Sequence, residues 1–81
     1  MKFEWDITKE EKNQRKHKIC FSDACLVFAD KYSLTLFDSK HSTSEERWIT
    51  FGQIPEGKLL VVFHTYRNFG GKEVVRIISA R

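Results

Sequence analysis

The stretch Lys58–Arg81, KLLVVFHTYRNFGGKEVVRIISAR, decides the fold of this chain. It contains two runs rich in Val and Ile, separated by the turn-forming segment Asn68–Gly71. Short β-branched runs on either side of Gly and Asn predict a β-hairpin. Because Leu59–Phe63 is apolar at every position, the first strand is expected to lie centrally in its sheet or to be covered on both faces.

The register of the hairpin decides which polar side chains share a face. A four-residue turn would pair Arg67 with Lys72. A turn one residue longer would move every side chain of one strand to the opposite face of the sheet. With four residues, the polar groups divide into Arg67 and Arg76 on one face, and His64, Ser79 and Arg81 on the other. A four-residue turn at Ile54–Gly57 would add Glu46 to the first face and Arg47 to the second.

A polar helix is predicted near the amino terminus. Thr8 and Glu11 have the spacing of a capping box, so the helix is expected to start there and to end near His17. It has almost no apolar stripe, and a helix of that kind rarely holds by its own packing. We therefore expect anchoring by Ile7 and Ile19 at its ends, or cover by a partner.

The remaining elements complete an α+β domain. Ser22 is the expected N-cap of a second, apolar helix over Asp23–Asp30, which would be the main helix packed on the sheet. Alternating residues predict three further strands, Met1–Asp6, Ser33–Asp38 and Glu46–Gln53. The order is β-α-α-β-β-β-β in one domain over residues 1–81, with two N-terminal helices on one face of a mostly antiparallel sheet.

The cysteine content and the absence of known motifs indicate the cellular compartment and limit the possible cofactors. Cys20 and Cys25 do not make a disulfide framework, and together with His17 they lack a fourth metal ligand, so buried thiols in a reducing compartment are the preferred interpretation. The alternative is a metal site at these three residues. No signal peptide or membrane-length apolar run is present, which predicts a cytoplasmic protein that does not contact the membrane. Without a phosphate loop or metal motif, no cofactor and no metal are expected.

The net charge of +3 is concentrated on the first helix. Lys9–Lys18 carries five basic and two acidic residues, whereas the rest of the chain balances nine of each sign. Such a surface suits nucleic acid or an acidic partner, although a solvated face is the alternative. The residues expected to contact RNA there are Lys9, Lys12, Arg15 and Lys16.

A further set of polar residues suits RNA cleavage without a metal ion. In that reaction a 2′-hydroxyl loses a proton and attacks its own phosphate, cations hold the oxyanion, and the leaving oxygen is protonated. Arginine holds phosphate oxygens with a planar, permanently charged fork. The candidates are His41, Glu46, Arg47, His64, Arg67, Arg76 and Arg81. A hydrogen-bonded core histidine at His64, surface ion pairs at Glu46 and Arg47, and an RNA-binding face without cleavage are the alternatives.

Several motifs resemble the pattern of the BrnT toxin family over nearly the whole chain. Its opening, WD-x-x-K-x-x-x-N-x-x-KH, is matched from Trp5 to His17. Further matches, in order and spacing, are Phe21, His41-Ser42, Glu46-Arg47-Trp48, Gly52, Val61-Val62, His64-Thr65, Arg67 and Arg76-Ile77-Ile78-Ser79-Ala80-Arg81. The family usually has Gly where Lys18 stands, Ser where Cys20 stands, and a charged helix after Ser-Ala-Arg. If that tail shapes the site, this chain is expected to be less active.

The resemblance implies a bacterial type II toxin, a small ribonuclease with a RelE-like fold that inhibits translation. A BrnA-like antitoxin with a ribbon-helix-helix part would neutralise it, and the two would bind operator DNA together and repress their operon. The resemblance implies an RNA face at His64, Arg67, Arg76 and Arg81, with Glu46 and Arg47 nearby. We expect a catalytic set of His64, Arg67, Arg76, Arg81 and Glu46, with Arg47, His41 and the basic helix contacting RNA. The alternative hypothesis is a non-catalytic module that binds an antitoxin or RNA.

Overall fold

A five-stranded sheet in the order β1-β5-β4-β3-β2 is the centre of the computed structural model, which describes residues 1–81. Its strands are β1 (Lys2–Trp5), β2 (Leu34–Phe37), β3 (Trp48–Gln53), β4 (Leu59–Phe69) and β5 (Lys72–Ala80). The helices are α1 (Ile7–His17) and α2 (Phe21–Ala24), with 3₁₀ turns at Cys25–Ala29 and Ser39–His41. The α+β class and the two helices are as predicted. The sheet is mixed, because β1 pairs with β5 in parallel.

The N-cap of helix α1 lies two residues before the predicted one. Asp6, not Thr8, caps it: the Asp6 carboxylate accepts hydrogen bonds from the backbone N–H groups of Thr8 (2.7 Å) and Lys9 (3.4 Å). These bonds also lower the pKa of Asp6. A carboxylate at this position interacts favourably with the helix dipole as well as with the free amides, so Asp6 outcompetes the Thr8 hydroxyl. The helix ends at His17, as predicted.

The polar helix α1 is held by a buried asparagine. The Asn13 amide donates to the backbone oxygens of Ala80 (2.9 Å) and Ile19 (3.0 Å), and its oxygen accepts from the Ala80 N–H (3.1 Å). Arg81 exchanges backbone bonds with Val61 of β4, so the polar groups of Ala80 point to the other edge of β5. The Asn13 side chain therefore makes, with Ala80, the hydrogen bonds that a neighbouring strand would make if β1 extended further. Ile7, which was predicted to anchor the start of α1, is 65% exposed and therefore does not anchor the helix by packing.

The second helical segment starts earlier than predicted, and Ser22 is not its cap. Cys20 is the N-cap residue but its side chain accepts no bond from a helix amide, and the Glu10 carboxylate of α1 accepts from the Phe21 N–H at 2.8 Å. The capping group is therefore the Glu10 carboxylate of the neighbouring helix, while the fully buried Phe21 ring packs in the core. The 3₁₀ turn then packs on β3 at Gly52, where a Cβ would lie 2.6 Å from Val27. This segment covers one face of the sheet.

Both turns differ in length from the prediction. Gly70 and Gly71, with φ values of 57° and 83°, form a two-residue hairpin turn, so Phe69 pairs with Lys72. A change of two residues keeps each side chain on its face, and Arg67 and Arg76 share one as predicted. Five residues, not four, lie between Gln53 and its partner Leu59. This slip of one moves Arg47 to the face of Arg67, opposite to the prediction.

A β-bulge in the hairpin moves the end of β5 to the uncovered face. Phe63 pairs with Ser79 but His64 pairs with Ile77, which leaves Ile78 as an extra residue. Beyond the bulge, Ala80 is fully buried, whereas Ser79 and Arg81 share the face of Phe63. The prediction that Ser79 and Arg81 stand with His64 is therefore wrong, because the count of alternating residues did not include an insertion.

We predict that Lys18→Gly stabilises the protein by roughly 1 kcal/mol, because Lys18 ends α1 with a left-handed φ of 61° that glycine adopts without a steric penalty. Urea unfolding measures the difference. Gln14→Gly, in the exposed interior of the same helix, is the matched control and should destabilise by about 0.5–1 kcal/mol. Equal losses at both positions would contradict the strain assigned to Lys18.

Candidate active site and nucleic-acid interface

The loop before β3 forms a hydrogen-bonded unit around a histidine. The Nδ1 atom of His41 lies 2.9 Å from the Oδ2 atom of Asp38, whose side chain is 6% exposed, while that of His41 is 55% exposed. The 3₁₀ turn Ser39–His41 brings the two residues together across three positions. The buried carboxylate therefore fixes the orientation of an imidazole that solvent and ligands can reach.

Ser42 joins this pair to Arg47. Its hydroxyl donates to the backbone oxygen of Asp38 (2.6 Å) and accepts from the backbone N–H of Arg47 (2.9 Å). The Asp38 N–H in turn donates to the Arg47 oxygen at 2.8 Å. These hydrogen bonds join the two ends of the loop, so the backbone positions of His41 and Arg47 are fixed relative to each other.

Arg81 reaches the same place from the end of β5. Its guanidinium lies over the Phe63 ring, 4.8 Å from the centroid, which is the geometry of a cation–π contact. A cavity of about 120 Å³ opens between this pair and the loop. It is lined by Asp38, His41, Arg47, Phe63, Ile78, Ser79 and Arg81. Two guanidinium groups and an oriented imidazole therefore face one small space.

A second cavity, of about 380 Å³, continues from the first toward α1. The two share Ile78, Ser79 and Arg81. The other residues lining the second cavity are Lys9, Lys12, Asn13, Lys16 and His17. We call the two cavities together the basic groove. The helix on which the sequence concentrates its net charge therefore borders the space that Arg81 occupies.

Other predicted site residues lie outside the basic groove. Arg76 is paired with Glu4 of β1 at 3.0 Å. Arg67 is exposed near the hairpin tip, and Glu46 is exposed in the loop before β3. Arg15 projects from α1 without lining either cavity. Of the predicted catalytic set, the structure brings Arg81 to the groove, together with five residues predicted to contact RNA: His41, Arg47, Lys9, Lys12 and Lys16.

His64 is a core residue on the covered face of the sheet. It is fully buried, its Nε2 lies 2.7 Å from the Thr50 hydroxyl, and its ring packs edge-on against Phe28 (4.9 Å) and Tyr66 (5.1 Å). Burial lowers the pKa of His64 to about 4, so the ring is neutral at pH 7. The structure does not bring His64 together with the arginines of the groove.

The groove also contains residues that the sequence analysis did not select. Asp38, Phe63 and Ser79 each contribute to it. The spacing Asp-x-x-His at Asp38 and His41 was a usable signal, because a short helical turn places such residues side by side. Phe63 and Ser79 carried no comparable signal, since their position depends on the bulge.

The structure groups no set of metal ligands and contains no membrane-length apolar helix. No three His, Cys, Asp or Glu side chains are grouped to hold a metal ion, at His17, Cys20 and Cys25 or elsewhere. Burial raises the pKa of the Cys25 thiol to about 11, which keeps it protonated. None of the helices is both long and apolar enough to cross a membrane.

The fold and the groove define a small α+β protein with a cationic site suited to a polyanion. The family model described as "Ribonuclease toxin, BrnT, of type II toxin-antitoxin system" matches residues 5–81. The chain therefore belongs to the BrnT family of ribonuclease toxins, as the resemblance predicted. An antitoxin is the partner that such a system implies. No curated protein sequence matches the chain.

We predict that His64 makes stability depend on pH between about 6.5 and 4. Across this window the unfolded state binds a proton that the folded state excludes, so the free energy of unfolding falls as the pH falls, by at most about 3 kcal/mol. His64→Gln keeps a hydrogen-bonding group for Thr50 but does not titrate, and should remove most of this loss. Urea unfolding at pH 7, 6, 5 and 4.5 measures it. His17→Gln is the control and should retain the loss; an unchanged slope in His64→Gln would contradict the assignment.

Proposed function

We propose that this protein is an endoribonuclease that binds RNA along the basic groove and cleaves it by 2′-hydroxyl attack without a metal ion. The observation that carries the proposal is the convergence of an oriented imidazole, His41, and two guanidinium groups, Arg47 and Arg81, on one cavity. The proposed active site belongs to a single domain over residues 1–81. This revises the predicted catalytic set, in which His64 supplied the imidazole.

His41 is the proposed proton-transfer group. Histidine is the side chain best suited to accept and return a proton near neutral pH. The bond from Nδ1 to Asp38 fixes the tautomer and leaves Nε2 free for the substrate. Asp38 is a positioning residue, because its carboxylate is buried and acts through the imidazole.

Arg47 and Arg81 are the proposed phosphate ligands. Guanidinium groups match the oxygens of a phosphate in pairs and keep their charge while the phosphorus becomes pentacovalent. The Phe63 ring restrains Arg81, and the bonds of the Ser42 hydroxyl restrain the backbone of Arg47. Restraint of this kind reduces the reorganisation that the transition state requires.

The bond changes follow from these roles. Nε2 of His41 takes the proton of the 2′-hydroxyl, the 2′-oxygen forms a bond to phosphorus, and the bond from phosphorus to the 5′-oxygen breaks. The leaving 5′-oxygen takes a proton from solvent, to which the groove is open. The products are a 2′,3′-cyclic phosphate and a 5′-hydroxyl end.

The helix α1 is the proposed site for flanking phosphates. Lys9, Lys12 and Lys16 lie on the side of α1 that lines the groove, next to Ser79 and Arg81. Lysines that neutralise phosphates release bound counterions, so RNA binding should weaken with salt. These contacts would position the chain without selecting its sequence.

Membership of the BrnT family supports the rest of the proposal. We infer that the protein acts on RNA in the bacterial cytoplasm, inhibits translation and has a RelE-like fold. A BrnA-like antitoxin with a ribbon-helix-helix part is the proposed partner. The pair would bind operator DNA and repress its own operon, with the toxin contacting DNA only through the complex.

We predict that the purified protein cleaves RNA in excess EDTA and leaves 2′,3′-cyclic phosphate ends. His41→Gln and Arg81→Gln should each reduce the single-turnover rate by about 10²–10³-fold, because they remove the proton acceptor and a phosphate ligand. Lys72→Gln, which removes one positive charge at the hairpin tip, is the control and should keep the rate within about threefold. Binding of RNA without cleavage would instead support a non-catalytic module, and full activity of His41→Gln would refute the assigned base.

A further inference from the structure

The uncovered face of the sheet is apolar over three strands. Cross-strand pairing arranges its side chains in two rows that continue to the groove. One row is Leu34, Phe51 and Val61, followed by Arg81; the other is Leu36, Ile49 and Phe63, followed by Ser79. We call the six apolar residues the leucine face. Leu34 and Leu36 are 55% and 48% exposed, and Leu59, two residues before Val61 on β4, is 72% exposed.

Such a face is unusual for a sheet with one side in water. Antiparallel sheets with a solvated face carry polar residues there. In this protein Thr50 and Val62 alternate with the leucine face and point to the covered side, where the 3₁₀ turn Cys25–Ala29 packs. An exposed apolar patch of several side chains indicates a surface that another molecule covers.

The shape of the leucine face favours a helix. The three strands span about 10 Å, at roughly 4.8 Å between neighbours, which is close to the diameter of a helix with its side chains. An extended segment lying on a sheet face would leave its backbone N–H and C=O groups unpaired, whereas a helix satisfies its own.

The charges beside the leucine face select the polar side of that helix. Arg81 and Arg47 border the patch, and the one carboxylate lining the adjacent cavity, Asp38, is buried against His41. A second copy of the chain would present the same leucines and arginines, and its leucines would leave Arg81 buried without a counterion, which is costly. Carboxylates on the covering helix would pair with both guanidinium groups.

We infer that the leucine face binds an amphipathic helix of a protein partner, with an apolar stripe on the strands and acidic side chains on Arg81 and Arg47. The antitoxin implied by the family is the partner that fits this chemistry. Because the helix would occupy the guanidinium groups proposed to hold phosphate, binding would exclude RNA from the groove; this regulatory consequence rests on the proposed function.

Labelled peptides of about 18 residues, long enough to form a helix, provide the test. One has a leucine stripe with a glutamate polar face, the second has the same stripe with lysine, and the third has the glutamate composition with scrambled leucines. Fluorescence anisotropy without RNA should show saturable one-to-one binding of the first peptide. The other two should bind at least about tenfold more weakly, since each lacks one of the two matching surfaces.

Variants locate the binding surface. Leu36→Ser and Leu34→Ser should each weaken binding of the glutamate peptide about tenfold. Because both residues are only half exposed, thermal unfolding checks that each variant remains folded. Phe69→Ser, at the hairpin tip and 57% exposed, is the matched control and should leave affinity unchanged. Equal binding of the lysine peptide, no effect of the leucine variants, or a dimer in sedimentation that Leu36→Ser dissociates would each overturn the inference. Because binding is measured without RNA, a failure of cleavage leaves these results interpretable.

Discussion

A single extra residue in β5 determines which side chains the end of that strand presents on the uncovered face of the sheet. The bulge at Ile78 lets Ala80 enter the core while Ser79 and Arg81 turn to the uncovered face. Regular alternation from Ile77 would send Ser79 toward the covered side and bury Ala80 less well. Bulges commonly re-aim a side chain at a functional site, and here the change brings a guanidinium over Phe63 and beside the His41 loop.

The same end of β5 explains a helix that its own sequence does not stabilise. Asn13 forms two hydrogen bonds with Ala80, whose backbone groups would otherwise be buried without partners at the point where β1 ends. An unpaired buried N–H or C=O costs about 1–3 kcal/mol, so the contact contributes to folding as well as to placement. It also fixes Lys9, Lys12 and Lys16 along the groove. The net charge of the chain is thereby directed to the proposed RNA path.

Local patterns predicted the elements, and long-range packing decided the site. The hairpin and the strand β1 followed from alternation and turn residues. The lengths of both turns did not, because Asn68, Phe69 and two glycines are compatible with several turns, and a slip of one residue moved Arg47 to the other face. His64 and Arg76 are residue types expected in an active site, but His64 is hydrogen-bonded to Thr50 and Arg76 is paired with Glu4. The local sequence does not show which polar side chains have such partners. The bulge and the His41–Asp38 pair appear only in three dimensions.

The position of RNA on the protein is the decisive observation. A backbone NMR titration with a short RNA whose cleavage site carries a 2′-deoxy sugar would detect binding without turnover. Shifts should concentrate at His41, Arg47, Ser79, Arg81 and the groove side of α1, and Thr50 and Val27 in the core should be unaffected. Shifts confined to the covered face around Phe37, Trp48 and Tyr66, with none at Arg81, would contradict a groove built by the bulge.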